Sequence, residues 1–448
     1  MGVYSDLYAS KLRTADEAVK AVQSKQWVWY SHFAMGPRAL DEALARRAGE
    51  LTGVNVKGVC LMYEPELVKV DPEQKSFLYH SGHMSGHERH LGDQELAYYI
   101  PGNYGQCPGN TRSGNMYPPQ IAMIMTTPMN EHGYFNFGTS CSYAKTICDM
   151  ADVVILEVNP NAPWCLGGEQ ECIHISEVDY IVEHESPMAV IPSEFTVTEA
   201  EKKIAALLIE ELEDEACLQF GIGALPSMIG KMIADTDLKN LGIHSEMMAD
   251  CFIDLAEAGI VNGKMKSIDQ RKITYTFALG SQRLYDYIDN NPRCATYPVD
   301  ITNDPDIIAR NDKVISINNA VEIDLYSQIN SESSGFRNIS GTGGQLDFTI
   351  GAMKSKGGKP FICLSSTKKQ GDKTVSRIVP YFRPGSIITV PRTYAPYIVT
   401  EYGIANMMGK STYRRAELLI DIAHPDFRDD LIKAAKEQRI WTRTNKIG

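Results

Sequence analysis

The stretch "DEACLQFGIGALPSMIGKMI", Asp214–Ile233, decides the fold. Its apolar run Ala216–Phe220 reads as a buried strand, and Gly221 and Gly223 fall where that strand gives way to a helix. Pro226 suits the first turn of that helix. A strand, a glycine turn and a helix in succession form the repeating unit of an α/β sheet. The same alternation extends in both directions. Apolar runs of strand length, "QWVWYSHF", "VNVKGVCLMY", "QIAMIMTTP", "DVVILEVN" and "YIVEH", are separated by helix-like pieces such as "LDEALARRAGEL" and "SYAKTICDMA". Further on, "ITYTFALG", "VISINNAVEIDLY", "PFICLSST", "SIITVP" and "YIVTEYG" read as strands and "DFRDDLIKAAKEQRI" as a closing helix. Near-continuous apolar strands between helices predict a sheet covered on both faces. In "TEAEKKIAALLIEEL", Thr198 and Glu201 stand at capping-box spacing, with Ile204, Leu207, Leu208 and Leu212 on one face.

At 448 residues the chain exceeds what one core usually supports, so two domains are expected. The loop "SPMAVIPSEFTVT", Ser186–Thr198, has two prolines and little periodicity, which puts the boundary near residue 195 and the domains at 1–194 and 195–448. Lys plus Arg number 44 against 56 Asp plus Glu, a formal charge of -12 that argues against a nucleic-acid partner. The ten cysteines form no C-x-x-C pair and read as reduced thiols of a cytoplasmic protein. The N-terminus lacks a signal-peptide core and no run is long enough for a membrane span, so no membrane partner is expected.

Candidate chemistry gathers at three places. In "LGIHSEMMADCFIDLAEAGIVNG", Leu241–Gly263, Glu246 stands at the start of an apolar, helix-like segment. A glutamate in a first helical turn often serves only the macrodipole, and Ser245 is explicable as an N-cap. The loops carrying Gly221 and Gly223, and Gly341, Gly343 and Gly344 in "SGTGGQLDF", are of the kind that exposes backbone N–H groups to an anion. A tight turn or a hairpin would account for either loop alone. A carboxylate associated with two donor loops instead suggests acyl transfer through a covalent glutamyl intermediate. His80, His83, His87 and His90 in "HSGHMSGHERH" have spacings that permit metal binding but match neither H-E-x-x-H nor a cysteine-rich zinc pattern, so a polar loop lining a cleft is preferred to a metal site. Tyr134, Phe135 and Phe137 read as core. Lys368, Lys369 and Lys373 form either a solvated turn or a clamp for ligand phosphates.

Taken together, "GIGALP", "LGIHSEM", "INNAVEIDLYSQINSE", "SGTGGQLDF", "SRIVP", "IVTEYGIA" and "IAHPDFRDDL" closely resemble the acetyl-CoA hydrolase/transferase family, and within it the butyryl-CoA:acetate and 4-hydroxybutyrate CoA-transferases. The likeness is strongest from Thr198 to Leu431, with "TADEAVK", "GYFNFG" and "IHISEVDYIVE" fitting more weakly. The resemblance implies two similar-sized open α/β domains of the CoA-transferase (NagB/RpiA-like) type with the active site between them. It implies that Glu246 becomes a glutamyl-CoA thioester. It assigns Gly223, Ala224, Leu225, Pro226 and Ser227 to a CoA-contacting loop, and Val321 and Gly344 to further CoA contacts. A family lysine aligns with Lys369, or with Lys368 if the gap is placed differently; Gly221 and Gly343 are oxyanion candidates.

The implied substrates are acyl-CoA and short-chain carboxylates, with CoA as substrate and covalent intermediate, no tightly bound cofactor, no metal, and a homo-oligomeric state. "HMSGHERH", "AYYIPGNY" and "CLGGEQECIHISEVDYIVE" look more like the butyryl-CoA:acetate branch. A 4-hydroxybutyrate enzyme, an acyl-CoA hydrolase using the same glutamate, and a non-catalytic CoA or sugar-phosphate binding protein are the competing readings. An apolar pocket rejects an added hydroxyl poorly, so substrate overlap within the group is expected.

Overall fold

In a computed structural model the described residues are 4–192 and 195–441. They form two compact units. The first comprises 1–192 with Glu246–Ala249 and Lys272–Asn303, and the second comprises Ser193–Ser245, Asp250–Arg271 and the chain from Asp304 on. The expected linear division into 1–194 and 195–448 therefore differs from the units observed, because the chain returns to the first unit twice. Backbone pairing explains both returns. Met247–Met248 runs parallel to Phe277–Ala278, Ala278 N–H donates to Thr139 O at 2.7 Å, and Thr296 N–H donates to Leu166 O at 2.9 Å. Ser193 and Glu194, at the expected boundary, lie outside the described residues.

The first unit is built on β1 (Trp27–Tyr30), β2 (Val54–Gly58), β3 (Phe77–Ser81), β4 (Tyr98–Tyr99), β5 (Ile121–Thr126), β6 (Val153–Val158) and β7 (Tyr180–Glu183). Their order is β4-β3-β2-β1-β5-β6-β7, and every pairing is parallel. β5 is buried at all its positions, as a strand covered on both faces must be. Val28, Tyr30, Val54, Val56, Ile121 and Met123 supply the core beneath helix Arg38–Ala45. Phe135 and Phe137 are buried as expected, whereas Tyr134 is exposed.

The second unit carries β8 (Cys217–Phe220), β9 (Gly242–His244), β10 (Val314–Asn319), β11 (Lys359–Cys363), β12 (Tyr397–Thr400) and β13 (Gly403–Asn406). They lie in the order β9-β8-β10-β11-β12-β13, parallel except for the final hairpin. Helix Glu199–Glu210 has the reciprocal cap anticipated: Glu201 N–H donates to Thr198 Oγ1 at 3.2 Å and Thr198 N–H to the Glu201 carboxylate at 2.8 Å. Ile204 and Leu208 are buried on its inner face, Leu207 is partly so, and Leu212 is buried just beyond its end. Thr198→Ala is expected to cost about 1 kcal/mol of stability, read as a lowered urea midpoint with an unchanged slope.

Two expected strands differ. "SIITVP", Ser386–Pro391, forms no strand; Val390 makes one bridge to Ile329 while Ile387 and Ile388 stay exposed. Pro384, Gly385 and Pro391 bracket it too closely for a ladder to extend. "VISINNAVEIDLY" breaks after Asn319, and Glu322–Asp324 joins a different small sheet. That break leaves Val321 in the connection. Among the described residues no helix is long and apolar enough to cross a membrane.

Candidate functional site

Glu246 belongs to the first unit and is half-buried. It does not start a helix: it occupies a bend just before Met247–Met248, and the helix begins only at Asp250. The cause is sheet pairing. Thr276 and Phe277 donate their N–H groups to Glu246 O at 3.0 and 3.2 Å, which holds the residue in an extended connection against its helical propensity. Ser245 is not an N-cap either; its hydroxyl donates to Phe220 O at 3.3 Å. The Glu246 carboxylate accepts a 2.6 Å hydrogen bond from Asn303 Nδ2. Asn303 follows the short helix Val299–Thr302 and is fully buried. A neutral donor this close orients a carboxylate without neutralising it. Sequence reasoning missed Asn303, although it stands next to the Asp304 cap of helix Pro305–Ile308, where an abrupt turn can be read from "TNDPD".

Aromatic rings line this part of the first unit. Phe33 stacks on Phe277 with centroids 3.8 Å apart, and Tyr104 meets Phe277 at 6.4 Å. Burial, foremost, raises the Tyr104 hydroxyl and the Cys60 thiol well above their ordinary pKa, and the charge of Glu246 adds to both. Neither group ionises near neutral pH.

The second unit gathers the residues assigned to CoA. β8 ends at Phe220, Gly223 sits at φ +124°, and helix Ala224–Ala234 follows. A Cβ at Gly223 would meet nothing closer than Pro226 Cδ at 4.0 Å, so conformation and not space demands glycine there. Gly221, Ala224 and Ser227 are partly exposed, while Leu225 and Pro226 are buried. Ser227 N–H closes the first turn onto Gly223 O at 3.1 Å. The second glycine loop also opens a helix, Gln345–Lys354, with Gly343 at φ 55° and Gly344 as its N-cap residue. It is thus no hairpin. Gln345 Nε2 donates to Asn319 O at 3.3 Å, which brings this loop beside the Ala320–Val321 connection.

Arg377 reinforces that connection, donating to Val321 O at 2.8 Å, to Ala320 O, and to Ser365 Oγ at 2.8 Å. Its role was not legible from "SRIVP". A cleft of about 280 Å³ lies between helix Glu199–Glu210 and these strands, lined by residues including Leu225, Asn319, Ala320, Ser365 and Arg377. Lys368 and Lys369 stand on the hairpin of Thr367–Gln370 with Lys373–Ser376, where adjacent side chains face opposite ways. Lys369 Nζ donates to Thr374 Oγ1 at 3.0 Å and is exposed. Lys368 is partly buried, and burial first, then Arg377 and Arg383, lowers its pKa against the pull of Glu322.

The histidine run is a loop only at 82–85, which holds His83. Ser85 caps helix Gly86–Asp93, which carries His87 and His90, while His80 lies on β3 against Asn55 Oδ1 at 3.0 Å. Among the described residues no group of three or more His, Cys, Asp or Glu is arranged to hold a metal.

The second unit is an α/β fold with two glycine turns that open helices, and the first is an α/β fold with a partly buried carboxylate held by an amide. The profile of the acetyl-CoA hydrolase/transferase N-terminal domain matches residues 2–192 and that of its C-terminal domain residues 280–435, and the chain belongs to this family. It is 48% identical over 445 residues to a butyryl-CoA:acetate CoA-transferase of Anaerostipes caccae, covering 99% of this chain and all of that protein. A 4-hydroxybutyrate coenzyme A transferase of Clostridium kluyveri is 37% identical over 435 residues, 97% of this chain and 99% of its own length. The crystal structure of RipA from Yersinia pestis superposes with a TM-score of 0.88 at 36% identity, covering 97% of this chain and 99% of that one.

Proposed function

We propose that this protein is a CoA-transferase that converts butyryl-CoA and acetate to butyrate and acetyl-CoA through a glutamyl-CoA thioester on Glu246. The observation that carries the reading is the seating of Glu246, a partly buried residue whose carboxylate accepts from Asn303 Nδ2 at 2.6 Å while its backbone is fixed by Thr276 and Phe277. The acyl choice rests on the 48% identity to the Anaerostipes caccae protein against 37% to the 4-hydroxybutyrate enzyme.

The steps balance without metal, ATP or proton transfer. A Glu246 oxygen attacks the thioester carbonyl, the C–S bond breaks, and CoA leaves as thiolate from an acyl-glutamyl anhydride. The thiolate attacks Cδ of Glu246, releasing butyrate and leaving glutamyl-CoA. Acetate then attacks that Cδ, the thiolate leaves again, and its attack on the acetyl carbonyl gives acetyl-CoA and free Glu246. Each addition passes through an oxyanion, and Gly221 and Gly343 are the proposed sources of backbone N–H groups for it. Water must be kept from anhydride and thioester alike.

Gly223, Ala224, Leu225, Pro226, Ser227, Val321 and Gly344 take the CoA contacts in this reading. Lys368 is preferred over Lys369 for the phosphates, since it is partly buried within electrostatic reach of Arg377 and Arg383 while Lys369 is exposed and turned to Thr374.

Incubation with butyryl-CoA alone is expected to add the mass of one CoA to the intact protein, and double-reciprocal plots are expected to be parallel. Unmodified mass in a protein that still turns over would remove the mechanism. Thiol release that ignores acetate would point to hydrolysis instead. Asn303→Ala, which removes the amide donor from the Glu246 carboxylate, is expected to lower kcat roughly 10- to 100-fold, the value of a hydrogen bond to a charged group; an unchanged kcat would show that Asn303 is only structural.

A further inference from the structure

Ser142 is fully buried, yet its backbone lies in the left-handed region at φ 44°. A residue with a side chain stays there only when its surroundings over-determine it. Here they do. Ser142 N–H donates to Thr276 O at 3.0 Å, and Ser142 O accepts from Val299 N–H at 2.7 Å. Its hydroxyl lies 2.8 Å from His32 Nδ1 and also hydrogen-bonds the Tyr104 hydroxyl.

The two segments that Ser142 ties together both support Glu246. Thr276 and Phe277 hold the glutamate's carbonyl, and Val299 opens the short helix that delivers Asn303 to its carboxylate. The far ends of the side-chain relay are anchored as well. The Tyr104 ring meets Tyr143 at 6.1 Å and Phe277 at 6.4 Å, and the His32 ring meets Tyr143 edge-on at 4.5 Å. Burial, and then Lys57, holds His32 well below its ordinary pKa, so its ring stays neutral with one donor and one acceptor nitrogen.

We propose that Ser142, buttressed by His32 and Tyr104, is a positioning residue that fixes the aim of Glu246. This rests on the reading of Glu246 as the nucleophile. Losing the Ser142 oxygen leaves two buried polar groups without their shared partner and frees a strained turn to relax. Thr276 and Val299 would then shift, and with them the restraint on the Glu246 backbone and the one on its carboxylate. A displacement of about 1 Å at a reacting group can cost on the order of 100-fold in rate.

The test counts competent sites by intact mass after butyryl-CoA and expresses kcat per competent site. Ser142→Ala and His32→Leu are expected to lower that kcat roughly 10- to 100-fold with the KM for butyryl-CoA within about twofold. His32→Asn, whose amide can stand where Nδ1 stood, is expected to recover most of the loss, and Tyr104→Phe to show a smaller fall. A purely structural role would reduce the number of competent sites and leave kcat per site unchanged; that result, in Ser142→Ala and His32→Leu alike, overturns the proposal. Absence of the adduct from the unsubstituted protein overturns the glutamyl-CoA reading itself, which separates the two failures.

Discussion

Glu246→Gln is expected to abolish CoA transfer, with kcat reduced on the order of 10⁴-fold or more, while the protein keeps its fold and its affinity for acyl-CoA. The substitution is nearly isosteric. A glutamine oxygen can still accept the Asn303 Nδ2 hydrogen bond seen at 2.6 Å, and the backbone restraints from Thr276 and Phe277 do not involve the side chain. Only nucleophilicity is lost, because an amide oxygen does not form the anhydride at a useful rate. Calorimetric titration with butyryl-CoA, intact mass and steady-state turnover check the three parts separately. Retained turnover would eliminate the covalent route, and lost binding would show that the glutamate holds substrate rather than attacking it.

The second large effect concerns stability and pH. Glu157 is fully buried on β6, with Oε2 accepting from Leu40 N–H at 2.9 Å. Burial raises its pKa from 4.5 to about 8, although backbone donors from Leu40, Ala39 and Arg38 pull the other way. Asp41, beside Tyr30 and the Glu66 N–H, is raised from 3.8 to about 7, again chiefly by burial. Each group holds its proton in the folded chain over a range where the unfolded chain has released it. Their contribution to stability is therefore complete below the unfolded values near pH 4 and is lost as pH climbs to about 8.

A tenfold change in proton affinity between the folded and unfolded chain is worth about 1.4 kcal/mol, so Glu157 alone accounts for a few kcal/mol of decline across that window. Glu157→Gln cannot ionise. Its stability is expected to fall more gently from pH 5 to pH 8 than that of the unsubstituted protein. Urea midpoints at four pH values in both proteins give the slopes directly; parallel slopes would mean that Glu157 is ionised in the folded state. The comparison of slopes is independent of whatever the buried amide costs at every pH.

Much of the fold could be read because burial on both faces writes strands as apolar runs. "QIAMIMTTP" and "DVVILEVN" became β5 and β6, and the Thr198–Glu201 pair marked its helix to the residue. The glycines of "GIGALP" and "SGTGGQLDF" were equally legible, since a positive φ at Gly223 or Gly343 is a demand that few other residues meet. What escaped depends on partners distant along the chain. Glu246 looked helical because local propensity cannot know that Thr276 and Phe277 will claim its carbonyl. Asn303 is 57 residues from the carboxylate it serves, and Ser142 is 110 residues from His32. Arg377 lay in view within a quoted motif, but its task of pinning the Ala320–Val321 connection belongs to tertiary structure. "SIITVP" misled for the opposite reason, because its apolar composition suited a ladder that its flanking prolines prevent.

The double return of the chain to the first unit bears on how such an enzyme could be dissected or inherited. Severing the polypeptide between Pro192 and Phe195 would yield an amino-terminal fragment deprived of Glu246–Ala249 and Lys272–Asn303, hence of the proposed nucleophile, of Asn303, and of the backbone partners of Thr139 and Leu166. The carboxy-terminal fragment would carry those segments as orphans. Neither piece is expected to fold as an autonomous module, and a gene for one of them is expected to gain function only in company with the other.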